Sequence, residues 1–367
     1  PLGIDPDLVE PYDGYYLGEV VPTPQTVHYS EDFVLLVDPL GGATVPVIVP
    51  ANAPVQVRLA AAELSARAGL LVGAASNEQP FLLPVVEAGS ADAHAAQQDT
   101  SVIFEMAGPQ EPKASWLRPE GYQVSMTLHK GGVRVRVLAV DAVGAYYASQ
   151  SLQQLMTVHD GRVVLRRAEI SDWPAFTLRA HQYDGGFPAP DQARYSLRWA
   201  AKLKLNQLGF GQAYDMPMQW KSLTDEQKTS TTYLCGRARA VGVIRAAFYL
   251  HPHRSKPEFN IRISDSADMD ALAAICASAL EAGARAIMLR SDDIWPLAPE
   301  DQARFGDQAS AHIFMVNELD RRLREQWPDL IFMFCPPHYT NGTIQGRKGA
   351  EDYTRRIGHE LAKDVLI

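Results

Sequence analysis

From residue 178 onward, short apolar runs alternate with stretches of helical spacing, and few folds accept that rhythm. Residues 178–183, 205–210, 243–250, 285–289, 330–335 and 364–367 read as strands. Residues 191–204, 267–282, 308–326 and 351–362 between them read as helices. In the helix at 267–282, Met269, Leu272, Ile275, Cys276, Ala279 and Leu280 fall on one stripe, the mark of an amphipathic helix covering a core. Strand-helix steps with right-handed crossovers build either an open doubly wound sheet or a (β/α)8 barrel. The first turn, Asp184-Gly185-Gly186-Phe187-Pro188, lacks the glycine fingerprint of a dinucleotide site, which favours the barrel.

The fourth of these strands ends in chemistry. Arg285-Ala286-Ile287-Met288-Leu289-Arg290-Ser291-Asp292-Asp293-Ile294 is an apolar run closed by two adjacent carboxylates. In a parallel barrel the carboxyl ends of the strands face the active site. Two acids held together there repel and raise one pKa, which makes them candidates for proton transfer. The competing reading is a pair of aspartates that caps the next helix or loop.

Ahead of this region, residues 1–25 are rich in Pro, Gly and Tyr and irregular, and residues 26–167 form an expected α+β domain with a small sheet. Residues 33–37, 45–49 and 101–104 are strand-like, and residues 54–68 and 142–156 helical. Residues 122–126 and 133–137 alternate around Lys130-Gly131-Gly132, a hairpin signal. The catalytic-type domain is expected over 168–367.

Composition narrows the function. With 34 basic against 43 acidic residues the net charge is -9, so no basic surplus exists to neutralise nucleic-acid phosphates. No apolar run approaches the length that crosses a bilayer. Cys235, Cys276 and Cys335 are far apart and odd in number, so neither a disulfide framework nor a zinc site is indicated, and Cys276 and Cys335 are expected to be buried packing residues. The chain opens Pro1-Leu2-Gly3, without Met or a charged-then-apolar leader; either a signal was removed or these residues were introduced for expression, and the compartment leans secreted or extracytoplasmic.

Several segments, taken together, resemble family 84 glycoside hydrolases, the β-N-acetylglucosaminidase family that includes O-GlcNAcase. Arg118-Pro119-Glu120-Gly121-Tyr122 and the run Asp141 to Leu152, with Gly144, Tyr146, Tyr147 and Gln150, resemble elements of that family's non-catalytic N-terminal domain. Such a domain is shared with family 20 hexosaminidases and family 67 glucuronidases. Ile170-Ser171-Asp172-Trp173-Pro174 resembles the lead into the barrel, and Lys204-Leu205-Asn206 its second strand. Ser291-Asp292-Asp293-Ile294 is similar to the catalytic aspartate motif, Ala311-His312 with Asn317 to the helix after it, and Cys335-Pro336-Pro337-His338-Tyr339 to a later strand end.

The resemblance implies a retaining, exo-acting β-N-acetylglucosaminidase that needs no cofactor or metal and acts on a carbohydrate or glycoconjugate. Neighbouring acids approach a sugar from much the same side. A retaining enzyme with its own nucleophile needs carboxylates on opposite sides, about 5–5.5 Å apart. The pair suits substrate-assisted catalysis instead, in which the 2-acetamido oxygen attacks. By resemblance Asp292 orients the acetamido group, Asp293 is the general acid and then base, and Tyr339 helps hold the acetamido group. Departures from the family leave alternatives open: a glycosidase for another sugar, or a decayed carbohydrate-binding protein. The first strand's turn is shifted by one residue, with Gly185 a remaining backbone contact; the family's sugar-binding lysine falls near Ala213; and Ser291 replaces an aromatic.

Secondary candidates are His251 and His253 at the end of the third strand, as hydrogen-bonders rather than metal ligands; Trp295 as a stacking platform; and Asp215 and Asp184 as reserve acids. His181 and Tyr183 lie on the first strand. About six of eight strands are counted, so the closing strands are expected from further sequence or from a second polypeptide.

Overall fold

The computed structural model describes residues 3–73, 83–90, 93, 100–108, 114–129, 131–183, 186–211, 220–253, 260–292 and 296–367. Two compact units divide the chain. The first comprises 1–179, 198–206 and 240–243; the second comprises 180–197, 207–239 and 244–367.

In chain order the first unit contributes β1 (Thr26–Asp38), β2 (Ala43–Thr44), β3 (Val47–Val49), α1 (Val55–Leu71), β4 (Val85–Glu87), β5 (Ser101–Met106), β6 (Tyr122–His129), β7 (Gly132–Ala139), α2 (Ala142–Gln154), β8 (Met156–His159) and β9 (Arg162–Asp172). They form one mixed sheet in the order β2-β1-β9-β6-β7-β5-β3-β4, with β8 paired to β9. The 130s hairpin is present, with His129 opposite Gly132. Helices α1 and α2 pack together, and Ser149 donates to the Ala60 carbonyl at 2.7 Å. Nearly every turn of α1 is buried, because it lies inside this layer rather than along a rim.

β8 and β9 correct the expected helix end. The chain leaves α2 at Gln154, and Asp160-Gly161, both at positive φ (49° and 74°), turns it into a hairpin. A primed turn of this kind matches the right-handed twist of the strands it joins. β9 then runs eleven residues and pairs with both β1 and β6.

The second strand-rich region holds β10 (Ala180–Gln182), α3 (Pro190–Lys202), β11 (Gln207–Gly211), α4 (Asp225–Val241), β12 (Arg245–Leu250), α5 (Ser266–Ala282), β13 (Ala286–Arg290), α6 (Pro299–Phe305), α7 (Gln308–Arg324), β14 (Ile331–Cys335), α8 (Asn341–Gly346), α9 (Ala350–Glu360) and β15 (Val365–Leu366). The strands form one parallel sheet in sequential order, β10 through β15. This is the βα repeat of a (β/α)8 barrel, with six strands among the described residues.

One face of that sheet is sealed: Phe210, Phe248, Ile287, Leu289, Phe332 and Phe334 are all at most 1% exposed. Fully burying such side chains stabilises by about 1.5–3 kcal/mol each. Alternation along the strands puts Gly209, Tyr249, His251, Arg290 and Met333 on the other face. A β-carbon at Gly209 would lie 2.3 Å from the Tyr249 ring, so the glycine makes room for the phenol.

Two expectations change in detail. Strand β10 is shorter than 178–183, because Arg179 is drawn away: its amide donates to Asn206 Oδ1 at 2.9 Å and its guanidinium pairs with Glu120. Cys335 is only partly buried, whereas Cys235 and Cys276 are fully so. Helix α4 has no counterpart in the sequence reading. Its buried face is Gln227, Ser230, Thr231, Leu234, Cys235 and Ala238, mostly polar or small, so hydrophobic periodicity is faint. Thr224 and Gln227 cap it reciprocally, amide to side chain, at 2.8 and 3.3 Å.

Candidate active site

Asp292 stands two residues beyond Arg290, the last residue of β13. The amide of Ser291 still donates to the Cys335 carbonyl at 2.8 Å, so the ladder with β14 continues one residue past the strand. Alternation therefore holds through Asp292: Arg290 and Asp292 share a face and Ser291 points the other way. The contacts agree. Arg290 Nε donates to Asp292 Oδ1 at 3.2 Å and Nη2 to Oδ2 at 3.1 Å, a side-on two-toothed pair. His251, one residue after β12, places Nε2 2.8 Å from the Asp292 backbone carbonyl and 3.5 Å from Oδ1. A carbonyl only accepts, so Nε2 carries the hydrogen.

Asp292 is thus a mostly buried carboxylate with two donors on its own side of the sheet. Burial pushes its pKa up, but the hydrogen bonds and charge of Arg290, aided by His251, outweigh burial and hold it below the usual aspartate value. The group is ionised at neutral pH. An ionised carboxylate offers about four acceptor sites. Among the described residues, Arg290 occupies one on each oxygen.

On the other face Ser291 is fully buried, with Oγ 3.3 Å from His253 Nδ1. The His253 and His312 rings stack with centroids 5.4 Å apart, and His312 Nδ1 meets Tyr353 Oη at 2.7 Å. Burial, and then the neighbouring histidines, push His253 well below its ordinary value; burial takes His312 down to about 3. Both are neutral packing groups. The serine that replaces an aromatic therefore belongs to this layer behind the strand and not to the Asp292 side.

Of the sequence candidates, the structure brings Asp292 and His251 together. Tyr339 follows β14, 54% exposed, and is not among the partners of Asp292. Gly185, Asp215, Asp293 and Trp295, with the reserve acid Asp184 and with Ala213, lie outside the described residues. His181 is exposed on β10, and Tyr183 donates its amide to the Gly209 carbonyl at 2.8 Å. The residue that sequence reasoning missed is Arg290. Its signal was present: an arginine closing an apolar strand, two positions before an aspartate. Among the described residues, no group of three or more His, Cys, Asp or Glu could hold a metal ion, and no helix is long and apolar enough to cross a membrane.

Residues 188–367 match the family model for beta-N-acetylglucosaminidase, and residues 18–173 match that for glycosyl hydrolase family 20, domain 2. Both matches are to glycoside hydrolases. The fold agrees with solved structures of that kind. That of CpGH84B superposes with a TM-score of 0.64 at 17% identity, covering 95% of this chain and 55% of that one. The chitobiase of Flavobacterium johnsoniae gives 0.63 at 14% identity, over 85% of this chain and 52% of that one. The beta-N-acetylhexosaminidase of Bacteroides fragilis NCTC 9343 gives 0.62 at 14% identity, over 95% and 74%. This chain thus spans about half the length of the first and second of these. Comparison with curated proteins gives no match. The fold is one that solved structures from glycoside hydrolase families 20 and 84 share.

Proposed function

We propose that the chain is a family 84-like hydrolase, a retaining exo-β-N-acetylglucosaminidase that works through the substrate's own 2-acetamido group. One observation carries the reading: Asp292 sits at the carboxyl end of a parallel strand, held on both oxygens by Arg290, immediately before Asp293 in sequence. An ionised acceptor is what an acetamido N–H needs if its carbonyl oxygen is to be turned onto the anomeric carbon. As that oxygen attacks, positive charge grows on the ring being formed, and a fixed carboxylate stabilises it more than it stabilises the bound substrate. Asp293 supplies the proton to the leaving oxygen and then takes one from water. His251 steadies the Asp292 backbone. Tyr339, Gly185, Asp215 and Trp295 are assigned to the sugar and its aglycone. The partner is a carbohydrate or glycoconjugate.

The test uses aryl β-N-acetylglucosaminides with leaving groups of graded acidity. Asp293→Ala should lower kcat/KM by about 10²–10⁴-fold for poor leaving groups and much less for activated phenols, because only the former need a proton. Asp292→Asn should slow both series alike, and NMR of the first-formed sugar should show the β-anomer. An Asp293→Ala protein as active as its parent across the series refutes the acid assignment. Turnover of a glycoside lacking the 2-acetamido group refutes substrate assistance.

A further inference from the structure

We propose that Arg290 is a positioning residue of this site: its guanidinium grips the Asp292 carboxylate side-on and fixes its bearing toward the substrate N–H. The catalytic consequence rests on the hydrolase reading above; the grip on Asp292 does not.

Three observations carry it. The contact is two-toothed, Nε to Oδ1 and Nη2 to Oδ2, which fixes the carboxylate plane as a single hydrogen bond would not. Both groups are largely enclosed, the Arg290 side chain 20% and the Asp292 side chain 10% exposed, so water competes weakly for the pair. The partners are two residues apart on one strand face, so folding the strand brings them together with almost no loop to close. A lysine would supply the charge without the planar fork.

Among the described residues, the other titratable groups that face the pair are few. From β12 come Tyr249, which burial pushes up, and His251; from β14 comes Cys335. None of these supplies a permanent positive charge, so Arg290 is the main force keeping Asp292 ionised against its burial. The sign follows. With the folded value lowered, Asp292 stays charged above its ordinary 3.8 and loses its charge, and with it its full hydrogen-bond acceptor role, only when pH falls below that. Removing Arg290 leaves burial in command, and the neutral form then persists to higher pH.

The experiment is a titration of Asp292 by NMR of aspartate 13Cγ, assigned with Asp292→Asn, in the parent, Arg290→Gln and Arg290→Lys. The parent midpoint should lie below 3.8. Arg290→Gln should raise it by a pH unit or more, on the order of the effect of an adjacent opposite charge. Arg290→Lys should fall between. A parent midpoint at or above 3.8, or one that Arg290→Gln does not move, overturns the proposal, and neither result depends on turnover. Should Arg290→Gln not fold, the parent midpoint and the lysine variant decide alone. In kinetics, Arg290→Gln should lower kcat/KM on the order of tenfold to a hundredfold and shift its acid limb to higher pH, while Arg290→Lys should restore much of the limb but less of the rate. An inactive parent would count against the hydrolase reading alone.

Discussion

Lys202→Met should destabilise the first unit strongly at pH 7 and weakly at pH 5. The Lys202 Nζ lies 2.7 Å from Glu63 Oε2, and each side chain is 2% exposed. Burial draws the ammonium below its usual range, against the pull of Glu63. Removing one partner of a buried pair typically costs roughly 3–5 kcal/mol, because the other charge is left behind. Glu63 is not stripped bare: Gln150 donates at 2.8 Å, Tyr146 at 3.2 Å and the Glu10 amide at 3.4 Å. The alternative is to fold with a proton on Glu63. An unfolded-chain glutamate takes its proton only near pH 4.3, so carrying one into the fold at pH 7 costs about 3.7 kcal/mol, and at pH 5 about 1 kcal/mol. That sets a ceiling on the charge penalty, and the ceiling falls as the solution acidifies. Guanidinium denaturation of the parent and the variant at both pH values measures it. The double variant Glu63→Gln/Lys202→Met should regain most of the loss at pH 7, since no buried charge remains. A loss equal at the two pH values, or a double variant worse than the single, would show that lost packing of the lysine stem, and not an orphaned charge, dominates.

Two further outcomes follow from packing. Gly209→Ala places a β-carbon 2.3 Å from the Tyr249 ring and should cost about 1–3 kcal/mol as an overpacked site, read as a lowered Tm; an unchanged Tm would mean the phenol moves freely. Cys235 and Cys276 are buried, with their thiols pushed up to about 12, whereas Cys335 is partly exposed. A disulfide reagent at pH 8 should therefore label one thiol quickly in the native protein and all three in denaturant; two or more fast thiols would refute the burial argument.

The fold was legible wherever burial follows a period. The α5 stripe, Met269 to Leu280, is buried residue for residue as its spacing requires, and the parallel strands fall within a few residues of their apolar runs. Legibility failed where polar atoms do the packing. Helix α4 buries Gln227, Ser230 and Thr231, so its period carries no hydrophobic signal, although Thr224 and Gln227 spell its cap. The ends of β10 are set by Arg179, whose partners Asn206 and Glu120 are distant in sequence, and no local pattern encodes such a partnership.

The site was half legible for a related reason. A pair of acids after an apolar run is visible in the sequence, although a helix or loop cap would leave the same trace. Their support does not, because an arginine near an aspartate in sequence is usually a surface coincidence. What separates the two cases is strand parity. Had Arg290 stood one residue nearer, it would point into the layer of Phe248 and Phe334, and Asp292 would face its burial without a permanent cation. At a separation of two, the same arginine shares the face of Asp292 and closes on both oxygens. Ser291 between them then has to enter the sealed layer, where a short side chain that meets His253 fits. The arginine, the serine and the ionised aspartate are thus one consequence of extended backbone persisting to the end of β13, and shifting any of them by one position would undo the other two.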